Sequence, residues 1–280
     1  MTHTRIGILH PGDMGISIGA SAKNGGHDVL WSSDGRSAQT HARAETHGLR
    51  DAGVLAALCA ASEVIVSVCP PHAAEDVARE VIAAGFAGMF VDANAIAPER
   101  AQRIAASMAR AGIDFVDGGI IGGPAWKPNS TWLYLSGPRA DAIAALFGAG
   151  PLRTQVLGHA IGAASALKMC YAAYTKGTTA LLCAVLAAAD SLNVRDALNA
   201  QWSRDSAGAD QQNAKRVQSV TAKAWRFAGE MEEIAATFRA AGLPGEFHDA
   251  AADVYERLAQ FKSAAALPEL DDVLRALWHA

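Results

Sequence analysis

Two spacings of apolar residues alternate along the first half of the chain. Short, β-branched apolar runs at 5–9, 28–31, 63–69, 89–92 and 113–116 are each bounded by turn residues, the pattern of buried strands. Between them, stretches such as 73–84 and 98–111 combine Ala, Glu and Arg with apolar residues at helical spacing. This alternation predicts a doubly wound, mostly parallel sheet with helices on both faces. Further strands are predicted at 132–136 and 153–156. Past Gly158 the strand signal stops. Residues 162–190 contain no proline and predict one long helix, apolar nearly all round and therefore a core or dimer seam. The remainder reads as helices interrupted at Gly242–Pro244 and at Pro268. The predicted organisation is an α/β domain over 1–157 and an all-α domain over 158–280, joined by that helix and serving substrate binding and dimerisation.

The first strand runs into His10-Pro11-Gly12-Asp13-Met14-Gly15, with a helix predicted directly after it. This is a GxGxxG frame whose first glycine is His10. Gly12 lets the backbone approach a pyrophosphate, Gly15 lets helix and strand pack closely, and the helix N-terminus offers N–H groups to the anion. Position 10 tolerates a side chain provided its φ is negative, as the following Pro11 favours. The expected domain is therefore of the Rossmann type, with His10, Pro11, Gly12, Asp13 and Met14 lining the cofactor groove. Cofactor choice turns on the end of the second strand, Trp31-Ser32-Ser33-Asp34-Gly35-Arg36. Ser33 stands where NAD enzymes place the acid that binds the ribose 2′-OH. Ser32, Ser33 and Arg36 suit a 2′-phosphate, which favours NADP(H). NAD stays open, with Asp34 as the ribose acceptor.

Composition narrows the function classes. Hydrophobic residues make up 51% of the 280 and charged residues 19%, which excludes intrinsic disorder. A net charge of −4 gives no global basic field for nucleic acid or anionic lipid. The four cysteines, at 59, 69, 170 and 183, have no metal-ligand spacing, so no metal is expected and the usage is that of a reducing compartment. No signal design is seen at the N-terminus, and the apolar stretch 178–189 is short for a bilayer span. These features lead us to expect a soluble cytoplasmic protein that acts on a small molecule, without nucleic acid or membrane partners.

Four segments in order resemble the β-hydroxyacid dehydrogenase and 6-phosphogluconate dehydrogenase superfamily: 7–15, Asp92-Ala93-Asn94-Ala95-Ile96-Ala97-Pro98, 117–124, and 158–168 with its continuation. The stretch Ala224-Trp225-Arg226-Phe227-Ala228-Gly229-Glu230-Met231-Glu232-Glu233-Ile234 resembles a C-terminal domain of unknown function carried by one branch. The resemblance implies a Rossmann domain plus a helical domain, a homodimer, NAD or NADP as cofactor, and an active site between the domains. It puts the superfamily's catalytic lysine on Lys168, which can give a proton to a carbonyl oxygen as hydride arrives, or take one in reverse. It also makes Pro70 and Asn94 cofactor contacts and Glu230 a functional acid, although Arg226 stands four residues before Glu230 and offers a plain surface ion pair.

Two positions depart from the superfamily pattern. The glycine-rich substrate loop Gly118-Gly119-Ile120-Ile121-Gly122-Gly123-Pro124 has Ile121 where a serine binds the substrate carboxylate. Backbone N–H groups of Gly122 and Gly123 can still cradle an anion. Past Lys168, Tyr171 and Ala172 stand where the superfamily has asparagine, and Tyr171 can replace that amide as a donor or can simply pack. Trp126 and Lys127 follow the loop and are candidates for the substrate pocket. Trp202 and Trp225 read as core anchors, and His248 as a helix-start packing residue. The resemblance implies an NADP(H)-dependent oxidoreductase on a hydroxyl/carbonyl pair. An imine reductase on the same scaffold and a non-catalytic NADP-binding sensor are the alternatives.

Overall fold

A computed structural model describes residues 3–278. The chain divides into two compact units, Met1–Met169 and Cys170–Ala280. The first unit holds an eight-stranded sheet. Its strands are β1 (Arg5–Ile8), β2 (Asp28–Trp31), β3 (Arg50–Asp51), β4 (Val64–Ser67), β5 (Met89–Asp92), β6 (Asp114–Gly122), β7 (Thr131–Ser136) and β8 (Arg153–Val156). Their order is β3-β2-β1-β4-β5-β6-β7-β8. All neighbours are parallel except β6 and β7. Helices α1 (Asp13–Asn24), α2 (Ala38–Thr46), α3 (Leu55–Ala61), α4 (Ala74–Ala83), α5 (Pro98–Arg110) and α6 (Ala140–Ala145) connect the strands. The expected doubly wound Rossmann architecture is what folds. Both faces of the sheet are covered, which is why the four residues of β4 are all buried.

One boundary differs from expectation. The run 118–122 belongs to β6 rather than to a loop, with Gly118 opposite Leu135 and Gly122 opposite Thr131. Glycine is a weak strand former by itself, and the antiparallel partner β7 supplies the hydrogen bonds that hold it extended. The strand thus runs past the end of β5, where Asp92 pairs with Asp117. Period-two alternation then puts Asp117, Gly119 and Ile121 on one face of β6.

Asp117 anchors the next helix, α7 (Ala163–Ser191). Its Oδ2 accepts from the backbone N–H of Gly162 (3.0 Å) and Ser165 (3.1 Å) and from the Ser136 hydroxyl (2.9 Å). Oδ1 accepts from the Ser165 hydroxyl at 2.6 Å, and Ser136 Oγ in turn accepts from Ala164 N–H. The first turn of a helix has N–H groups without internal partners and a positive dipole end, so a fully buried carboxylate is well matched there. One turn along, a Cβ at Gly119 would fall 2.6 Å from the Ala164 carbonyl and 3.1 Å from Lys168 Cβ. Glycine at 119 is what lets α7 lie against β6.

The second unit contains most of α7 with α8 (Arg195–Asp205), α9 (Ala209–Ala240), α10 (Glu246–Leu258) and α11 (Leu270–Trp278). Its core is built from residues such as Met231, Ile234, Tyr255 and Leu258. The helix α7 spans 29 residues, the length predicted for 162–190; by length and apolarity it could cross a membrane, against the expectation drawn from 178–189, and half of its most apolar window is buried within the protein. Trp225 is not a core anchor: it is 40% exposed, with the Lys262 ammonium 3.7 Å above its ring in a cation–π contact. His248 packs between Phe238 and Phe247 and is buried, and that burial lowers its pKa.

Asp92, beside Asp117, is treated differently. It is fully buried; Oδ1 accepts from Asn94 N–H at 3.0 Å, and Oδ2 has no hydrogen-bond partner among the described residues. Burial above all, with the Asp117 charge adding to it, pushes its pKa up to about 7 against the pull of Asn94 and Arg100. A carboxyl that holds its proton more tightly when folded stabilises the fold fully below its unfolded pKa of 3.8. That contribution is lost as pH rises through the window from about 4 to about 7. Asp92→Asn should therefore gain stability relative to the wild type across this window, by an amount on the order of a few kcal/mol, and stay level above it. Urea midpoints of both proteins from pH 4.5 to 8.5 check this. A constant difference would show that Asp92 does not titrate there.

Candidate active site

The carboxyl ends of parallel strands form the ligand-binding edge of a doubly wound sheet. Here that edge carries the turn after β1, the Cys69–Pro70 turn after β4, Asn94 after β5, and Lys168 against the projecting end of β6. All of them belong to the first unit.

Gly12 caps α1 with extended backbone and faces open space, leaving the first N–H groups of the helix accessible. At Gly15 a Cβ would stand 2.1 Å from the His10 carbonyl oxygen, so only glycine permits this turn. His10 has no positive φ, and a side chain at that position is unstrained. Asp13 pairs with Arg43 of α2 at 2.6 Å, and the same guanidinium donates to the Pro11 carbonyl. Asp13 therefore presents a neutralised carboxylate to an incoming anion. Met14 lends its carbonyl to the Ser17 hydroxyl, which itself accepts from Ala125 N–H and ties the segment after β6 to α1.

Beside this turn lies a cavity of about 170 Å³ whose lining includes His10, Ser32, Asp34, Arg36 and Glu80. Ser32 donates to the Gly53 carbonyl, and Ser33 N–H bonds the same oxygen, fixing the end of β2. His10 Nδ1 and Arg36 Nε are buried with no hydrogen-bond partner among the described residues. Burial, then the Arg36 charge, push the His10 pKa down to about 4, so the imidazole is neutral at physiological pH. Two buried nitrogens without partners and an accessible helix N-terminus fit a dinucleotide whose phosphates supply acceptors.

Asn94 joins two strand ends. Its side-chain oxygen accepts from Cys69 N–H at 2.5 Å and its amide donates to Ser67 Oγ at 3.2 Å, clamping the two turns that end β4 and β5. Pro70 stands in the turn so held, before the short 3₁₀ segment Pro71–Ala73. Lys168 is half-buried beside Gly119. Ile121 shares the sheet face of Gly119, which puts an apolar residue on the lysine side of β6. Gly122 and Gly123 are exposed at the end of that strand, with the Gly123 carbonyl accepting from Thr131 Oγ1. Trp126 stacks on His47 at 4.8 Å, at the C-terminal end of α2.

In the second unit Glu230 pairs with Lys176 of α7, and the two side chains are only 12% and 14% exposed. It is not a surface pair of the α9 helix. The Lys176 ammonium also lies 4.3 Å over Phe227, and Tyr255 donates to the Lys176 carbonyl. Tyr171 is about half exposed on α7, three residues past Lys168. Sequence reasoning missed Asp117 as an anchor, together with Arg43, Ser17 and His47. Only the aspartate carried a signal, standing at the head of the glycine-rich run.

Comparison with known proteins agrees with this geometry. Residues 5–147 match the model of the NAD binding domain of 6-phosphogluconate dehydrogenase, and residues 189–258 match a domain of unknown function (DUF1932). An uncharacterised 28.5 kDa protein in the 7S RNA 5′ region of Methanothermus fervidus is 29% identical over 194 residues, 69% of this chain and 74% of that one. The fold resembles that of Mycobacterium tuberculosis 3-hydroxyisobutyrate dehydrogenase solved with L-serine, at 19% identity, covering 99% and 100% of the two chains with a TM-score of 0.69. It also resembles the reductive aminase of Aspergillus terreus solved with NADPH and ethyl levulinate, at 17% identity over 98% and 99%, with a TM-score of 0.57. The first match spans half the chain and covers the glycine turn and every strand of the sheet but β8. The chain belongs to the family of the NAD-binding domain of 6-phosphogluconate dehydrogenase, and is a nicotinamide-dependent dehydrogenase by scaffold.

Proposed function

We propose that the protein is an NADP(H)-dependent oxidoreductase acting on the hydroxyl/carbonyl pair of a small organic substrate, with Lys168 as the general acid/base. The observation that carries this reading is the placement of Lys168 against Gly119, on the same sheet edge as the glycine turn. When bound, the nicotinamide supplies or receives the hydride. Gly12, Asp13 and Met14 hold the pyrophosphate through the α1 N-terminus, and Ser32, Ser33 and Arg36 hold the 2′-phosphate. Lys168 Nζ gives a proton to the carbonyl oxygen in reduction and takes it from the hydroxyl in oxidation. The Gly122–Gly123 backbone orients the substrate. Ile121, lacking a hydroxyl, favours a substrate with an apolar group at the place where a carboxylate-binding serine would stand. The retained lysine favours alcohol over imine chemistry, and turnover separates an enzyme from a binding-only sensor.

The helical unit supports a homodimer. Tyr174 is 75% exposed on α7, and with Leu243 and Phe247 it lines an apolar groove of about 520 Å³. Exposed apolar surface of this kind marks association.

Three outcomes follow. Arg36→Ala should weaken NADPH by about 1.5–3 kcal/mol and leave NADH nearly unchanged in fluorescence titrations, whereas equal losses would remove the 2′-phosphate assignment. Lys168→Ala should cut turnover about 10²–10⁴-fold with NADPH binding and melting temperature kept; near-wild-type rates with any substrate the wild type reduces would exclude the lysine as acid/base. In sedimentation the protein should be a dimer at micromolar concentration and Tyr174→Glu should shift it toward monomer, while a stable wild-type monomer would end the dimer reading.

A further inference from the structure

The cavity beside the glycine turn sets the imidazole of His10 in one lining with the guanidinium of Arg36. We propose that His10 is a specificity-determining residue: with Arg36 it holds the 2′-phosphate of NADP(H) as an imidazolium, so that binding NADPH takes up a proton and binding NADH does not. This rests on the assignment of the cavity to the phosphate-bearing adenosine end of NADP(H).

The frame has an imidazole where glycine is usual, and that imidazole shares one cavity with the guanidinium of Arg36. His10 Nδ1 and Arg36 Nε are both buried without a hydrogen-bond partner among the described residues, an arrangement that costs free energy until an acceptor arrives. The charged groups facing His10 are Arg36 and Asp34 from the turn after β2 and Glu80 from α4. Asp34 and Glu80 are exposed at the rim, where water screens them. In the free protein burial and the Arg36 charge keep the imidazole neutral. A 2′-phosphate carries close to two negative charges and three acceptor oxygens. Placed between the two side chains, it cancels the Arg36 repulsion and supplies the missing acceptor, and both changes favour the protonated ring. The ribose hydroxyl of NADH brings no charge and leaves the ring neutral. Release of a proton from the phosphate as it binds in its dianionic form has the opposite sign and subtracts from the net uptake, so the His10 contribution is the difference between the wild type and the His10 variants.

Isothermal titration calorimetry of NADPH and NADH tests this, from pH 6 to 8.5, in paired buffers of different ionisation heat. The wild type, His10→Gln and His10→Gly are compared; the glycine restores the usual frame and guards against a packing defect in the glutamine variant. The wild type should take up on the order of one proton with NADPH near pH 6.5 and none with NADH. Its NADPH affinity should strengthen by up to about tenfold per pH unit as pH falls toward 6.5. Both variants should lose the uptake and the slope with NADPH, whatever their affinity for NADH. If NADPH remains the tighter cofactor but uptake is absent, or persists in both variants, the role of His10 is overturned and the cofactor assignment stands. If NADPH shows no preference in the wild type at any pH, both fall.

Discussion

The carboxylate of Asp117, buried at the head of α7, is the contact on which the arrangement of the candidate site depends. A 29-residue helix begins with N–H groups that its own carbonyls cannot reach, and its dipole concentrates positive charge there. Asp117 answers both needs from the sheet, accepting from Gly162, Ser165 and Ser136. Because the acceptor is a strand residue, the helix is registered on β6 rather than merely packed near it. Lys168 then falls where Gly119 leaves room for its backbone, and the strand that sets the lysine also carries Ile121 and the exposed Gly122–Gly123 pair.

Buried charge is handled in three ways in this molecule, and the contrast is informative. Asp117 is ionisable, fully buried and surrounded by donors. Asp92, its register partner on β5, accepts from Asn94 N–H and has an oxygen with no partner among the described residues, and burial holds its proton up to about 7. Two ionised carboxylates side by side in a low-dielectric sheet would repel, and the less well-solvated one yields. In the helical unit Lys176 and Glu230 neutralise each other under cover of Phe227 and Tyr255. Removing one partner of such a pair would leave an uncompensated buried charge, which makes it a device for fixing how α7 and α9 meet rather than a large source of stability.

The glycine turn shows how a departure from a motif acquires a use. A side chain at position 10 would be excluded if the backbone there required positive φ, but it does not. The close approach is instead made by the His10 carbonyl against Gly15, and the imidazole lines the cavity that Arg36 also lines. Asn94 is a second case. Its amide holds together the two turns that end β4 and β5.

Much was legible in the chain itself, because strand and helix periodicities and turn chemistry are local properties. The alternation of short β-branched runs with amphipathic helices set the doubly wound sheet, and strand-turn-helix around residues 10–15 marked its phosphate end. The long apolar helix and its lysine were equally plain. What the sequence could not carry were relations between distant positions. The run 118–122 reads as a loop until β7 pairs with it, since glycine has no strand preference of its own. Trp225 reads as core by residue type, yet ends on the surface beneath Lys262. Asp117 with Ser165, Asn94 with Cys69, and Lys176 with Glu230 are separated by 48, 25 and 54 residues. Whether such a polar side chain is solvated, paired or left orphaned depends on which elements fold over it, and only the tertiary structure decides that.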